Sequence, residues 1–438
     1  MCIRDRVEAD RQIRDRETAG LLPPALVIND SIAEIEKFLS VPPGEDILCQ
    51  ALQEKSTGLT GLGESGRQAL LNEASLEVAE NTYPAYRQLL ATLRAQKQRA
   101  ANEPGVWRLP DGDAWYQFQL TAATTTNLSA DEVHELGLAE TERLEQKIIS
   151  ACRDLGIQAK TINECHHYLD AERPPAREDN EQNRQAIVDA ISALMTDTEN
   201  NLSELFHHLP RGKLEVKPIP RFAEANRNQS YQPPSLDGSR AGFFELNVGQ
   251  LLDETAYELP ILVYHEIFPG HHLQIALAGE NRGLPSLRRI ITFDAYIEGW
   301  AKYAETIPEL HGINNDPMFR IARMRRELIS TINLALDTGI HAKRWSTDKA
   351  LQFFKLHSGM GETFSRFIVH RSASVPAQMC SYKIGMMKMT ELRNRMQDSL
   401  GDRFDVRDFH HAVLSRGSVP LYLLDSIVDK DIQTLKNR

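Results

Sequence analysis

The chain has 438 residues, 41% of them hydrophobic and 25% charged, the composition of an ordinary globular protein with ample material for a buried core. Lys plus Arg total 50 against 61 Asp plus Glu, a formal charge of −11, which makes the polyanionic backbone of nucleic acid an unfavourable partner. No run of about 18 apolar residues is present to span a bilayer. The five cysteines (Cys2, Cys49, Cys152, Cys165, Cys380) are odd in number, scattered and without a C-x-x-C pair, which argues against a disulfide framework and against a thiolate zinc site.

Residues 1–20 are almost wholly polar and contain no apolar signal region. Met1 to Arg6 resembles the translated remnant of a sequencing adapter, so this segment is expected to be a non-native or truncated start. As given, the chain is expected in the cytoplasm, or exported if a signal peptide has been lost. Apolar residues at three- and four-residue spacing predict helices around 31–39, 66–98, 130–155, 183–208, 317–340, 347–357, 380–400 and 405–415. Ala114 to Leu120 alternates apolar and polar residues and predicts a strand. Ser129-Ala130-Asp131-Glu132 offers a capping box for the helix that follows. The Pro-rich tract 214–240 is the expected boundary between an N-terminal helical lobe (21–213) and a catalytic lobe (214–438) of one cooperative domain. Ala241 to Val248 predicts a second strand just upstream of the chemistry.

That chemistry is His265-Glu266-Ile267-Phe268-Pro269-Gly270-His271-His272. Zinc peptidases place two histidines four residues apart on one helical face, with a glutamate beside the first as base for a water in the site. Here the spacing is longer. On a straight helix His272 returns to the face of His265 but lies ~10.5 Å along the axis, and His271 points roughly 120° away. The segment must therefore be irregular, and Pro269 and Gly270 supply the irregularity, because Pro269 has no N–H for the His265 carbonyl. A local bulge makes His271 the counterpart of the usual second histidine. His271 is favoured over His272; the other would support the site from outside the ligand set or face substrate. Catalytic zinc needs a third protein ligand and an open position. Glu298, at the edge of the apolar stripe Phe293, Ile297, Trp300 and Ala304, is the candidate, with Gly299 permitting close helix approach. A carboxylate there is costly unless paired or coordinated.

These residues resemble a bacterial family, domain of unknown function 885, whose members are regarded as zinc peptidases distantly similar to thimet-type oligopeptidases, angiotensin-converting enzyme and Taq-type carboxypeptidases. The resemblance runs from about residue 76 to 428. His265-Glu266-x-x-Pro269-Gly270-His271-His272-x-Gln274 matches the family's H-E-x-x-P-G-H-H-x-Q, and Glu298-Gly299-Trp300-Ala301 with Tyr303 and Glu305 matches E-G-W-A-x-Y-x-E. Thr124 to Thr126, Gly242 to Asn247, Asp337 to His341, Ser381 to Gly385, Phe409-His410 and Val419 to Leu421 add weaker support. Where the family usually has Arg-Tyr followed by P-G-Q-A, this chain has Arg371-Ser372 and Pro376-Ala377-Gln378-Met379, a departure that bears on substrate contacts and leaves the metal motifs intact.

The resemblance implies a mainly α, two-lobed metallopeptidase-like fold with a deep cleft and a small sheet beside the metal. Phe243 to Val248 is the expected edge strand for main-chain pairing with an extended peptide, with Asn247 contacting substrate. One zinc ion is expected on His265, His271 and Glu298, with Glu266 as general base. Tyr382 and His410 are candidates to stabilise the developing oxyanion. Arg371 and Lys383 are candidates for a substrate carboxylate. Each of these four also reads as an ordinary core or ion-paired side chain. The expected reaction is hydrolysis of small peptides. The alternatives are hydrolysis of non-peptide amides or aminoacyl conjugates, and a noncatalytic protein with structural zinc. The intact Glu266 argues against the last, since a structural site needs no base. The sequence leaves the oligomeric state open.

Overall fold

The computed structural model describes residues 2–59, 61–171 and 175–437. It is mainly helical with one three-stranded sheet. Its contacts divide into two compact units, residues 1–114 with 343–347, and residues 115–342 with 348–438. The division thus falls at residue 114 and not in the 214–240 tract. Two of the three strands arise within that tract and are stitched to the third by backbone hydrogen bonds, so it is interior to one unit.

In the first unit, helix Ala25–Leu39 turns Ile28, Ile32 and Ile35 toward Leu90 and Leu93 of helix Tyr83–Lys97. The single helix predicted over 66–98 is two, Glu64–Glu77 and Tyr83–Lys97, joined through a wide π-type turn at Val78–Thr82. Pro84 sits in the first turn of the second helix, where its missing N–H is tolerated. The polar start is integrated with this unit. Cys2–Thr18 is helical, and buried Asp10 accepts a hydrogen bond from Thr92 Oγ1 at 2.6 Å.

The second unit holds the sheet and most of the helices. Helix Ala130–Asp154 begins with the predicted capping box: Ser129 Oγ accepts from the Glu132 N–H at 3.2 Å, and Glu132 Oε2 accepts from the Ser129 N–H at 2.8 Å. The strand predicted over 114–120 is helix Gly112–Thr124. Tyr116, Leu120 and Thr124, four residues apart, are buried, whereas Phe118 is 66% exposed; the alternation in the sequence therefore concealed a helical stripe. Cys152 and Cys165 are disulfide-bonded between this unit's helices Ala130–Asp154 and Ile162–Ala171, a pairing that the scattered cysteines did not announce.

The sheet has the order β1 (Leu214–Pro218), β3 (Gly242–Leu246), β2 (Ser230–Gln232). β1 runs parallel to β3 with Leu214 opposite Gly242, and β2 runs antiparallel with Tyr231 opposite Phe244. β3 is consequently the central strand and not the expected edge. Its alternating burial, with Phe244 and Leu246 fully buried, fits a strand paired on both sides.

Candidate metal centre

Helix Leu259–Glu266 carries His265 and Glu266 on its last turn, and helix His271–Glu280 opens with His271. Between them residues 267–270 leave helical geometry altogether, so the expected bulge is a complete break. The Phe268–Pro269 peptide is cis. Gly270 lies so close to the end of the first helix that a Cβ there would stand 1.8 Å from the His265 carbonyl oxygen. The buried Trp300 indole donates to the Pro269 carbonyl at 2.9 Å and ties the linker to the third helix of the site. The break brings the His265 and His271 rings to 4.8 Å between centroids, at 85° to each other. Ligand-type atoms of His265, Glu266 and His271 all lie within 4.8 Å of one another.

Glu298 arrives from helix Asp294–Ala304. This helix crosses helix Cys380–Leu400 in near backbone contact: a Cβ on Gly299 would stand 2.4 Å from the Gly385 backbone. Only glycine allows that approach. Glu298 Oε2 is 3.6 Å from Nε2 of His265 and 3.6 Å from Nε2 of His271. That is long for a hydrogen bond. It is close to the separation of about 3.3 Å between neighbouring ligands of a tetrahedral ion bound at roughly 2.0–2.1 Å. The oxygen is buried and has no hydrogen-bond partner among the described residues. Burial pushes the Glu298 carboxyl up, but the two imidazoles outweigh it and hold the group well below the usual carboxylate range. For His265, burial opposes the charged form, and Glu298 and Glu305 reverse the balance, raising it to about 10. Three donors of this kind around a shared point fit a divalent cation such as zinc.

Glu305 completes the support. Its Oε1 accepts from His265 Nδ1 at 2.8 Å, which leaves Nε2 of that ring to face Glu298 and to bind an ion once its proton is lost. Lys302 Nζ donates to both Glu305 oxygens, at 2.9 and 2.8 Å, and balances the buried charge. Glu305 stands in the second motif but was not singled out as a site residue. The signal was present: seven residues separate it from Glu298, two helical turns on the same face.

Of the remaining candidates, Tyr382 lies beside the cluster. Burial first, and then the charge of Glu298, raises its phenol above the ordinary value. Arg371 donates to Gln378 Oε1 at 3.0 Å and to the Tyr382 hydroxyl at 3.4 Å. His272 turns away from His271, and its Nδ1 meets the Tyr231 hydroxyl on β2 at 3.0 Å. Its burial lowers it to about 4 and keeps it neutral. His410 is not placed for an oxyanion. It is fully buried, its Nδ1–H donates to the Leu205 carbonyl at 2.7 Å, its Nε2 accepts from Tyr303 at 3.1 Å, and Phe206 stacks on it. Lys383 is likewise withdrawn from substrate: it is buried, 2.7 Å from Glu327 and 3.4 Å from Glu140. Asn247 is structural too. Its Nδ2 donates to the Glu224 and Arg227 carbonyls at 2.7 and 2.6 Å, and its Oδ1 caps the helix Val248–Leu251 by accepting from Gln250.

The departure from the family pattern also has a structural counterpart. Ser372 Oγ and the Ala377 N–H donate to the two oxygens of buried Asp337 at 2.8 and 2.9 Å, and Tyr116 adds a third bond at 2.7 Å. Ala377, where the family pattern has glycine, adopts φ +70°.

A family model described as "Bacterial protein of unknown function (DUF885)" matches residues 7–428. No curated protein matches the sequence. Among solved structures, the chain is similar to one described as "the putative lipoprotein from Colwellia psychrerythraea", with TM-score 0.92 and 29% identity over 98% of this chain and 73% of that one. It is also similar in fold to "a putative lipoprotein of unknown function from Shewanella oneidensis", with TM-score 0.68 and 17% identity over 95% of this chain and 74% of that one.

Proposed function

The chain belongs to the bacterial DUF885 family, and from that premise we propose that it is a zinc-dependent hydrolase of amide bonds in small peptides, with a zinc-peptidase type of helical fold. The convergence of His265 Nε2, His271 Nε2 and Glu298 Oε2 beside Glu266 carries this reading. Those three residues would hold the ion, which when bound supplies Lewis-acid polarisation and a more acidic water.

The chain's own groups account for the rest. Glu266, adjoining the first ligand, takes the proton of the attacking water and returns it to the leaving nitrogen. Glu305 fixes the His265 tautomer, and Lys302 keeps Glu305 ionised within the protein. Tyr382, steadied by Arg371, donates a hydrogen bond to the oxygen on which negative charge develops. A purely structural ion would leave Glu266 without a task. Glu266→Gln is expected to keep the zinc content of the wild type and to lower hydrolysis of a mixed peptide library by about 10²- to 10⁴-fold. Wild-type turnover in that variant would remove Glu266 from the role.

A further inference from the structure

A cavity of about 870 Å³ runs along helix His271–Glu280 and is walled on the other side by the 231–241 loop and residues 289–292. Two of its lining residues neighbour the histidine segment. Tyr231 lines it and touches His272, and Gln274 lines it one turn beyond His271. Gln274 is 2% exposed, and its Oε1 has no hydrogen-bond partner among the described residues. A buried amide oxygen without a partner, on a side chain that lines a cavity, is a candidate acceptor for a bound molecule's N–H.

The charge around the cavity runs against that of the chain. In a protein of net charge −11, five cations line it (Arg211, Lys213, Arg240, Arg282 and Arg289) against two carboxylates, Asp237 and Glu280. Both carboxylates are already engaged: Glu280 accepts from the Arg211 and Gly212 N–H groups, and Asp237 from Ser239. Among the described residues Arg240 and Arg289 donate to backbone carbonyls, and neither meets a carboxylate there. Lys213 and Arg282 are exposed and have no carboxylate partner among the described residues. Apolar Leu236, Ile275 and Ile290 complete the lining.

We infer that this cavity is a substrate subsite that binds a carboxylate-bearing residue, with the peptide N–H of that residue on Gln274 Oε1 and its carboxylate at the Lys213 and Arg282 rim. The inference rests on the hydrolase reading for the word substrate, but its test does not need turnover. Lys383, withdrawn into an ion pair, leaves that role to these cations.

Binding of three peptides to the full chain carrying Glu266→Gln tests it by calorimetry: N-acetyl-Ala-Ala-Leu, its C-terminal amide, and N-acetyl-Ala-Ala-Glu amide. At least one carboxylate peptide is expected to bind about tenfold or more tighter than the neutral amide, the worth of one charge-assisted hydrogen bond. Which of the two does so assigns the carboxylate to the C-terminus or to a side chain. Lys213→Ala with Arg282→Ala is expected to abolish the preference while leaving the neutral amide's affinity unchanged, and Gln274→Leu to weaken all three peptides. Equal binding of all three, or a preference that survives the double substitution, overturns the inference. If the chain proves to hold no zinc or to hydrolyse nothing while the preference stands, the hydrolase reading fails and the carboxylate site remains.

Discussion

Two buried charge clusters lie in the same unit and are built to opposite ends. Around Glu327, Arg323 and Lys383 approach at 3.1 and 2.7 Å, and Glu309 and Glu140 extend the network, so each cation meets a carboxylate at hydrogen-bond distance. Around Glu298, two imidazoles and a carboxylate converge at 3.6 Å, and the carboxylate oxygen that faces them lacks a hydrogen bond among the described residues. The first cluster is closed: its charges satisfy one another and ask for nothing further. The second gathers three ligand-type atoms at separations too long for hydrogen bonds, which in a buried place is costly unless a ligand is meant to occupy it. Lys302 and Glu305 stand between the two, bonded to each other, with Glu305 also bonded to His265 and Lys302 near enough to Glu327 to lower it as well.

The contrast can be broken from either side. Lys383→Met removes one partner from the closed cluster and leaves Glu327 undercompensated in the core, so it is expected to cost about 3 kcal/mol in denaturant unfolding while zinc content stays at the wild-type value. Loss of zinc with little loss of stability would mean that the clusters had been assigned the wrong way round.

The open cluster should respond to pH in the chelated protein. His265, raised to about 10 by Glu298 and Glu305 against the effect of burial, is stabilised in its protonated form in the fold. A raised folded pKa gives stability that is full below the unfolded value of about 6.5 and is lost as pH rises through about 10. Thermal melts of the chelated protein are thus expected to fall across that window, and melts of the zinc-loaded protein to fall less, because metal binding replaces the proton. Parallel curves would contradict the account of His265.

A smaller effect checks the region that departs from the family pattern. Ala377 holds φ +70°, a conformation that costs an L-residue about 1 kcal/mol or somewhat more and costs glycine little. Ala377→Gly should therefore raise stability by about 1 kcal/mol, leaving zinc content unaltered. A destabilised variant would mean that the alanine methyl contributes more by packing than its backbone loses.

How much of this the sequence disclosed depended on whether the cause was local. The Ser129–Glu132 cap, the helices Ala130–Asp154, Pro317–His341, Thr347–Ser358, Cys380–Leu400 and Val406–Leu414, and the interruption at Pro269-Gly270 are dictated within a few residues, and each was legible. The 114–120 segment misled because Phe118 is an exposed aromatic, which supplied alternation without burial. His410, Lys383 and Asn247 read as site residues by type. Their partners lie 205, 56 and 23 residues away in sequence, and no local pattern reveals them. The central position of β3 was hidden for the same reason, since strand order is set by the long-range pairing of Leu214–Pro218. Glu305 was legible from its two-turn spacing to Glu298, and Gln274 from its place one turn beyond His271. The cationic cavity was not, because its residues come from five separate stretches of chain.

The claim that everything else depends on is which histidine joins His265 and Glu298. It is tested most directly by zinc per chain, measured by elemental analysis, in the wild type and in the His271→Ala and His272→Ala variants. One zinc in the wild type, close to none in His271→Ala and one retained in His272→Ala is the predicted result. Retention in His271→Ala with loss in His272→Ala would contradict the assignment, and with it the geometry proposed for the site.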